Sequence, residues 1–263
     1  MLFSPGLYLP MGKKPAVAAG GDAAETTAFL ARTSGLDGTH TNAYKALING
    51  LVSDSVFSKL DALYMFATDT STNALLSLVS ATYNATVSGS PTFNANQGYD
   101  TSSGNEIDTP FTPSTATTPK FTQNSASVFA WSNTSGQING SIIGLTSGGN
   151  LFLYTRHTTD VSFFGINDAD FNSAANTDGT GFYAANRTAS NATQGYKNGS
   201  SVMTSSSTST SVGTNPITFG FGNGAAWTGR IMAGGFGQSL SGTDHANLYA
   251  RVHTYLQTIA GIS

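Results

Sequence analysis

The segment at residues 225–256 decides how the fold is interpreted: AAWTGRIMAGGFGQSLSGTDHANLYARVHTYL. Its first half predicts a β-strand, because strand alternation places Trp227, Gly229 and Ile231 on one face. Trp227 is large and apolar, so we expect it in the core. Gly229 has no side chain and leaves room for a neighbour on that face. The pattern therefore indicates a buried strand.

The second half of this segment predicts a helix. Ser241 or Thr243 can accept a hydrogen bond from its first turn, and both remain candidates for the N-cap. The apolar positions then recur at about 3.6-residue spacing. They are Leu248, Val252, Tyr255 and Leu256. We expect this apolar face to pack on a β core, so that the strand and the helix together close the domain.

Short apolar stretches alternate with clusters of Gly, Asn, Ser and Thr through the middle of the sequence. This spacing is typical of antiparallel β-sandwiches and barrels. Asn198-Gly199 predicts a two-residue hairpin turn, because both residue types tolerate positive φ angles. The predicted strands are LDALYMFAT, SVFAWS, SIIGL, LFLYTR, VSFFGIN, GFYAANR, TQGYKNG and PITFGFG.

The N-terminal region has a different pattern. Residues 1–21 contain prolines and glycines that disfavour a helix, and they predict an extended arm. A first short helix follows, with Asp22 as its cap and Glu25 at the capping-box position. A second short helix is predicted to begin at Thr39 or Thr41.

The composition restricts the classes of partner. Only 10% of the 263 residues are charged and the net charge is −3, so the chain has no basic surface for nucleic acid. The absence of cysteine excludes disulfides and thiolate metal sites. No apolar run approaches the roughly 20 residues that span a bilayer. We therefore expect neither a nucleic-acid partner nor membrane insertion.

Three stretches carry a family resemblance. SPTFNANQGYDTSSGNEIDTPF (90–111), GYKNGSSV (195–202) and the strand-helix segment from Trp227 resemble the concanavalin A-like lectin and glucanase family, which includes laminin-G-like domains. The resemblance implies an all-β antiparallel jelly-roll sandwich over roughly residues 60–260. A fold of this kind serves many functions, so the resemblance implies the architecture before any activity.

A further stretch narrows the biological context. Residues 29–68, FLARTSGLDGTHTNAYKALINGLVSDSVFSKLDALYMFAT, resemble proteins of alphaproteobacterial phages, prophages and gene transfer agents. There such sandwiches serve as head spikes or tail fibres. The resemblance implies a homo-oligomer on the virion surface that binds host capsular polysaccharide. Residues 1–58 would provide attachment to other virion proteins and oligomerisation, and residues 59–263 would form the jelly-roll sandwich.

The acidic residues argue against catalysis. Related jelly-roll glucanases use a Glu-x-Asp-x-x-Glu strand, whereas this chain has only two glutamates, Glu25 and Glu106. Glu106 and Asp108 are two apart and would share a strand face, but the third acid is missing. We expect a protein that is not an enzyme. The alternatives are a glycan-active hydrolase or lyase and a purely structural capsid decoration protein.

Sugar sites combine aromatic rings with a few directed polar groups. The stretch LYTRH provides Tyr154, Arg156 and His157, and the first two would share a strand face. Asn186 and Arg187 add an amide and a guanidinium on a nearby predicted strand. These five residues are the predicted carbohydrate-binding surface.

One stretch has the beginning of a calcium-loop pattern. In NDADFN, Asp168, Asp170 and Asn172 alternate as calcium ligands do. Ser173 occupies the place of the expected glycine, and Gly179 occupies the place of the bidentate glutamate. A solvated turn remains the alternative. Calcium is the only cofactor that the sequence suggests.

Overall fold

The computed structural model describes residues 21–147, 150–168 and 170–263. The helices are α1 Ala24–Leu30, α2 Gly38–Ser53, α3 Ser71–Ala74 and α4 Gly242–Ala260. The first nine strands are β1 Leu60–Met65, β2 Thr86–Ser88, β3 Thr92–Asn94, β4 Gly98–Thr101, β5 Glu106–Asp108, β6 Ala126–Ser132, β7 Ile143–Leu145, β8 Leu151–Tyr154 and β9 Val161–Ile166. The others are β10 Ser173–Ala175, β11 Gly181–Ala189, β12 Ala192–Lys197, β13 Ser200–Ser205, β14 Ile217–Phe219, β15 Phe221–Gly222, β16 Ala225–Ala226 and β17 Gly229–Gly237.

Two large antiparallel sheets form a sandwich, as the sequence predicts. The first sheet has the order β13-β12-β11-β6-β17-β4-β3, and β1 also pairs with β17. The second has the order β10-β9-β8-β7-β14-β5-β2. The strand predicted from the closing segment is β17, which lies between β6 on one side and both β1 and β4 on the other. This position makes β17 central to the first sheet.

The central strands of the first sheet are buried on both faces, and β1 is an example. Ala62 and Tyr64 belong to the core between the two sheets. Leu63 and Met65 face the opposite way and join the second core, which the helices complete. Because both faces are buried, the stretch LDALYM is apolar almost throughout instead of alternating.

The helices α1, α2 and α4 cover the outer face of the first sheet. Phe29 of α1, Tyr44 of α2 and Leu248 of α4 share one buried cluster with Phe129 and Met232 of the sheet. The described part of the N-terminal region is therefore a layer of the sandwich. The predicted arm lies outside the described residues except for its last residue, and the attachment role of residues 1–58 stays a prediction. Among the described helices, none combines the length and apolarity needed to cross a bilayer.

Two local predictions from the closing segment are confirmed. Trp227 is fully buried as predicted, although it precedes β17, which begins at Gly229; its ring lies 2.8 Å from where a Cβ on Gly229 would stand. Ser241 is the N-cap of α4, since its hydroxyl accepts from the Asp244 amide at 3.1 Å. Asp244 completes a capping box by accepting from the Ser241 amide.

The hairpin turn is confirmed too. Asn198 and Gly199 join β12 to β13 with φ angles of 50° and 76°. These positive values are what a two-residue turn of the right twist requires.

The predicted caps of the first two helices are wrong. Ala23 occupies the cap position of α1, and no side chain caps it. Asp22 instead pairs with Lys45 of α2 at 2.7 Å. The second helix begins at Gly38, because the Asp37 carboxylate accepts from the His40 amide at 2.8 Å. The N-cap of α2 is therefore Asp37, which precedes both candidate threonines in the sequence.

Candidate functional site

The two outer faces of the sandwich differ in what covers them. The α1, α2 and α4 helices pack on the first sheet. On the second sheet, the short hairpin of β15 and β16 lies over the middle of the outer face. A Cβ on Gly144 of β7 would stand only 2.8 Å from the Gly222 Cα, so the hairpin needs glycine at this close approach. The strands β8, β9 and β10 lie at one edge of this face.

Five aromatic rings, which we call the aromatic cluster, lie at that edge: Phe152, Tyr154, His157, Phe163 and Phe171. Phe171 stacks on Phe152 with centroids 4.5 Å apart and contacts Phe163 edge-on at 5.3 Å. Phe163 in turn contacts His157 at 5.1 Å and Tyr154 at 5.8 Å. The rings form a continuous chain of contacts across β8, β9 and the following loop.

Strand alternation explains why these rings face outward. In β9, Phe164 and Ile166 belong to the core between the sheets, which turns Phe163 to the other face. The same alternation in β8 turns Phe152 and Tyr154 outward. Sequence reasoning missed Phe163, although adjacent phenylalanines in one strand must face opposite sides.

Exposure decides which rings a ligand can reach. Phe171 is 52% exposed, while Phe163 and His157 are half-buried. Tyr154 is only 5% exposed because its neighbours surround it, and this burial raises the pKa of its phenol. The accessible rings are therefore Phe171, Phe163 and His157. Tyr154 was predicted to contact the sugar. It is instead buried and packs against His157 and Phe163.

Polar side chains border the aromatic cluster on one side. The Arg156 guanidinium lies 2.8 Å from Asp160 Oδ1, and Arg156 Nη1 donates to the Ser135 carbonyl at 3.0 Å. Gln137 also donates to Asp160, and these hydrogen bonds from Gln137 and Arg156 lower the pKa of the Asp160 carboxyl. His157 Nε2 lies 3.2 Å from Asn139 Oδ1. Arg156 and His157 therefore sit in a fixed network beside the rings.

Asn186 and Arg187 are not part of this surface, and their prediction as sugar contacts is wrong. Both side chains are fully buried in β11. Asn186 exchanges two hydrogen bonds with the Leu240 backbone, at 2.9 and 3.0 Å. Arg187 donates to the Ile166 and Ser207 carbonyls, at 2.7 and 3.0 Å. Their polar groups serve the interior and do not face a ligand.

The predicted calcium ligands do not converge on a cation. The buried Asp168 carboxylate pairs with Arg187 and accepts from Thr193 and Ser207. The guanidinium already supplies the positive charge beside Asp168 Oδ2, and burial raises the pKa of this carboxyl. Asp170 is exposed instead. Within the described ranges, no three acidic or histidine side chains cluster as metal ligands.

The amide of Asn172, the third predicted ligand, donates to Ser207 Oγ at 3.1 Å. Asn172 is therefore connected to the buried Asp168 network through Ser207, as a hydrogen-bond donor.

The acid pair lies farther along the same face. Glu106 and Asp108 flank Ile107, which is in the core, so both carboxyls face outward from β5. Partial burial raises the pKa of both carboxyls, and the nearby Asp108 charge adds to the effect on Glu106. The β15–β16 hairpin lies over β7, between this pair and the aromatic cluster.

Comparison with known proteins identifies the architecture. No protein-family model matches the chain, and no curated protein matches it in sequence. Solved structures do match. Domain 4 of an extracellular arabinanase from Geobacillus stearothermophilus is 12% identical with a TM-score of 0.50, covering 72% of this chain and 98% of that domain. The binding domain of botulinum neurotoxin serotype D is 14% identical with a TM-score of 0.54. The chain has a concanavalin A-like jelly-roll fold.

A sialidase from Trypanosoma rangeli has a similar jelly roll, with 12% identity and a TM-score of 0.52 over 80% of this chain. The chain spans only 38% of that sialidase and 52% of the toxin domain. At these identities the likeness concerns the jelly roll itself, and function has to be argued from the residues of the site.

Proposed function

We propose that this protein is a non-catalytic virion component, the head spike or tail fibre of a phage or gene transfer agent, that binds host cell-surface polysaccharide. The aromatic cluster on the outer face of the second sheet carries this proposal. Aromatic faces stack on the apolar faces of pyranose rings, and neighbouring polar groups bond the hydroxyls. Phe171, Phe163 and His157 provide the rings, while Arg156 and Asn139 provide polar groups beside them.

The related jelly rolls support a glycan ligand. The arabinanase domain was solved in complex with arabinotriose, and the Trypanosoma rangeli sialidase was solved in complex with sialic acid. The arabinanase domain, of which this chain covers 98%, is thus a similar jelly roll that binds a sugar in another protein. For this chain the proposal is binding without cleavage, since Glu106 and Asp108 lack the third acid of the glucanase strand.

The placement of the helices and the aromatic cluster on opposite sides of the sandwich also supports attachment of the protein to a particle. The N-terminal helices pack on the first sheet, while the aromatic cluster lies on the outer face of the second. A chain attached to a particle through residues that precede α1 would therefore present the cluster away from its anchor. Homo-oligomerisation and contact with other virion proteins are part of the same proposal.

The first experiment measures retention of the purified protein on capsular polysaccharide from candidate alphaproteobacterial hosts. We expect saturable binding by the wild type and about tenfold weaker binding by Phe171→Ala, which removes the most exposed ring. Val202→Ala is the matched control, because Val202 is 43% exposed on β13 of the other sheet. Binding by neither wild type nor control, or equal binding by Phe171→Ala, would contradict the proposal.

The same mixtures test the non-catalytic part. We expect no release of oligosaccharide or reducing ends during prolonged incubation. Release that Glu106→Gln or Asp108→Asn abolishes would replace the proposal with a glycan-active enzyme acting through the acid pair.

Particle attachment is tested separately. A chain that lacks residues 1–20 is expected to keep polysaccharide binding and to disappear from purified particles. Incorporation at the wild-type level would contradict attachment through the arm.

A further inference from the structure

We propose that the protein has a second ligand site, a cleft of about 510 Å³ beside α4 that binds an uncharged hexopyranose unit. The cleft lies where β6 ends, β11 begins and β12 turns into β13. Its volume is within the range of about 300–1,000 Å³ that is usual for small-molecule sites. It is formed by the first sheet and α4, so it is separate from the aromatic cluster and does not depend on it.

Three aromatic rings line the cleft. Tyr249 and His253, one turn apart on α4, are both nearly parallel to the Trp131 indole at the end of β6. Their centroids lie 5.8 and 5.6 Å from that of Trp131, with interplanar angles of 4° and 10°. Tyr249 and His253 are themselves 5.3 Å apart and remain half-buried. The half-buried Tyr249 and His253 rings offer apolar surface on which a sugar ring can stack.

Polar groups in fixed orientations border these rings. Lys197 Nζ donates to Asn176 Oδ1 at 2.7 Å and to the Asp178 carbonyl at 2.8 Å. An ammonium has three protons, so one remains for a ligand. Asn198 Oδ1 accepts from the Phe182 amide at 2.9 Å, which orients an amide nitrogen that has no partner among the described residues. Donors of this kind lose little entropy when a ligand binds, because the protein already holds them.

Asn133, at the end of β6, completes the polar lining of the cleft. Its side chain has no hydrogen-bond partner among the described residues. An amide can donate and accept at once, as a sugar hydroxyl also does. Removing this amide therefore affects a ligand without breaking an internal bond.

The charges favour a neutral sugar over an acidic one. Lys197 and Asp178 both line the cleft, so their opposite charges offset each other. An acidic sugar would place its carboxylate near Asp178 as well as near Lys197. A neutral hexose can use the same donors without this repulsion.

Tryptophan fluorescence provides a direct test, because the chain has only two tryptophans and Trp227 is fully buried in the core. Titration with the methyl pyranosides of glucose, galactose and mannose is expected to produce a saturable change in emission for at least one of them. Methyl glucuronide is expected to bind more weakly. Heats measured by calorimetry under the same conditions check that the optical change reports binding.

Matched variants locate the site. We expect about tenfold weaker binding for His253→Ala and for Asn133→Ala, and unchanged binding for Gln257→Ala, an exposed residue of the same helix. Melting curves identify any variant that has lost its fold, and Asn133→Ala keeps the test valid if His253→Ala does not fold.

The outcomes separate this inference from the proposed function. Retained hexose binding by Phe171→Ala, together with its weakened polysaccharide binding, would support two separate sites. The absence of a saturable response to every neutral glycoside, equal affinity in His253→Ala, Asn133→Ala and wild type, or preference for the glucuronide would overturn the cleft proposal. The results that would overturn the cleft proposal leave polysaccharide binding by the aromatic cluster untouched.

Discussion

Arg187 and Asp168 illustrate how burial decides the role of a polar residue. Both side chains are fully buried, and the guanidinium donates to the Ile166, Ser190 and Ser207 carbonyls and to Asp168 Oδ2. A buried charge pair of this kind stabilises the fold only while both partners are present. The pair therefore acts as an interior clamp between β11 and the segment after β9.

Arg187→Met should destabilise the protein by roughly 3–5 kcal/mol, because it leaves the Asp168 carboxylate buried without its cation. Urea unfolding measures the change. The double variant Arg187→Met with Asp168→Leu is expected to recover part of the loss, because it removes both polar partners. Arg156→Met is the control, because the Asp160 side chain that pairs with Arg156 is exposed. If Arg187→Met loses no more unfolding free energy than Arg156→Met, the buried ion pair is unimportant for stability.

His245 is a second buried polar residue with a measurable consequence. It stacks on Tyr196 at 3.8 Å, and neither ring nitrogen has a hydrogen-bond partner among the described residues. Burial lowers its pKa to about 3, and the neighbouring Asp244 charge opposes this only in part. The imidazole is therefore neutral in the folded protein at ordinary pH.

The wild type should lose stability relative to His245→Leu as the pH falls. Below pH 6.5 the unfolded chain binds a proton at His245 that the folded protein does not, so unfolding is favoured. The difference between the two proteins should change by roughly 3 kcal/mol between pH 7 and pH 4. Urea unfolding at both pH values measures it, and parallel pH dependence of the two proteins would refute the burial argument.

At the scale of elements, α4 packs against both the helix α2 and the first sheet. Its N-terminal capping box lies beside Lys59, which pairs with Asp244 at 2.7 Å. Its apolar face packs on α2 and the first sheet through Leu248, Val252 and Leu256. The capping box and the Lys59 pair therefore hold α4 in place. Farther along, α4 forms one wall of the cleft through Tyr249 and His253.

Ser241→Ala should cost about 1 kcal/mol of stability, because it removes the acceptor for the Asp244 amide. Thr243→Ala is the control, since Thr243 lies exposed in the first turn and does not cap it. Thermal unfolding compares the two. An equal effect of both substitutions would contradict the assignment of Ser241 as the cap.

The elements also show where local reasoning succeeds and fails. The strand β17, the Asn198-Gly199 turn and the Ser241 cap are encoded by neighbouring residues, and each was predictable. The cap of α2 was missed because Asp37 lies before the glycine at which the helix begins. Asp22 has the sequence position of a cap, but its carboxylate forms an ion pair with Lys45. No local pattern predicts this contact.

At the scale of the whole molecule, the helices and the two sheets depend on one another. Side chains of α2, including Tyr44, Leu47, Ile48 and Leu51, are almost completely buried against α4 and the first sheet. Burial of this kind contributes roughly 1.5–3 kcal/mol for each large apolar side chain. The outer face of the first sheet is therefore unsuited to contact with water.

Deletion of residues 1–58 should prevent folding, because it exposes that face. We expect the 59–263 fragment to aggregate or to lose its cooperative melting transition, as measured by light scattering and circular dichroism. The chain lacking residues 1–20, which keeps α1 and α2, is the control. A soluble fragment with a cooperative transition would show instead that the sandwich is an independent domain.

The resemblance to concanavalin A-like domains implied the jelly roll. The sequence by itself determined an antiparallel sandwich or barrel, the strand at the closing segment, the helix that follows it and the exclusion of cysteine chemistry. These features depend on composition and on contacts between near neighbours in the chain. Only the tertiary structure decided that Asn186, Arg187 and Asp168 are interior, that Phe163 and Phe171 form the accessible surface, and that Trp131 meets His253. Those outcomes depend on which distant strands and helices come together to exclude water, and a local pattern carries no information about such contacts.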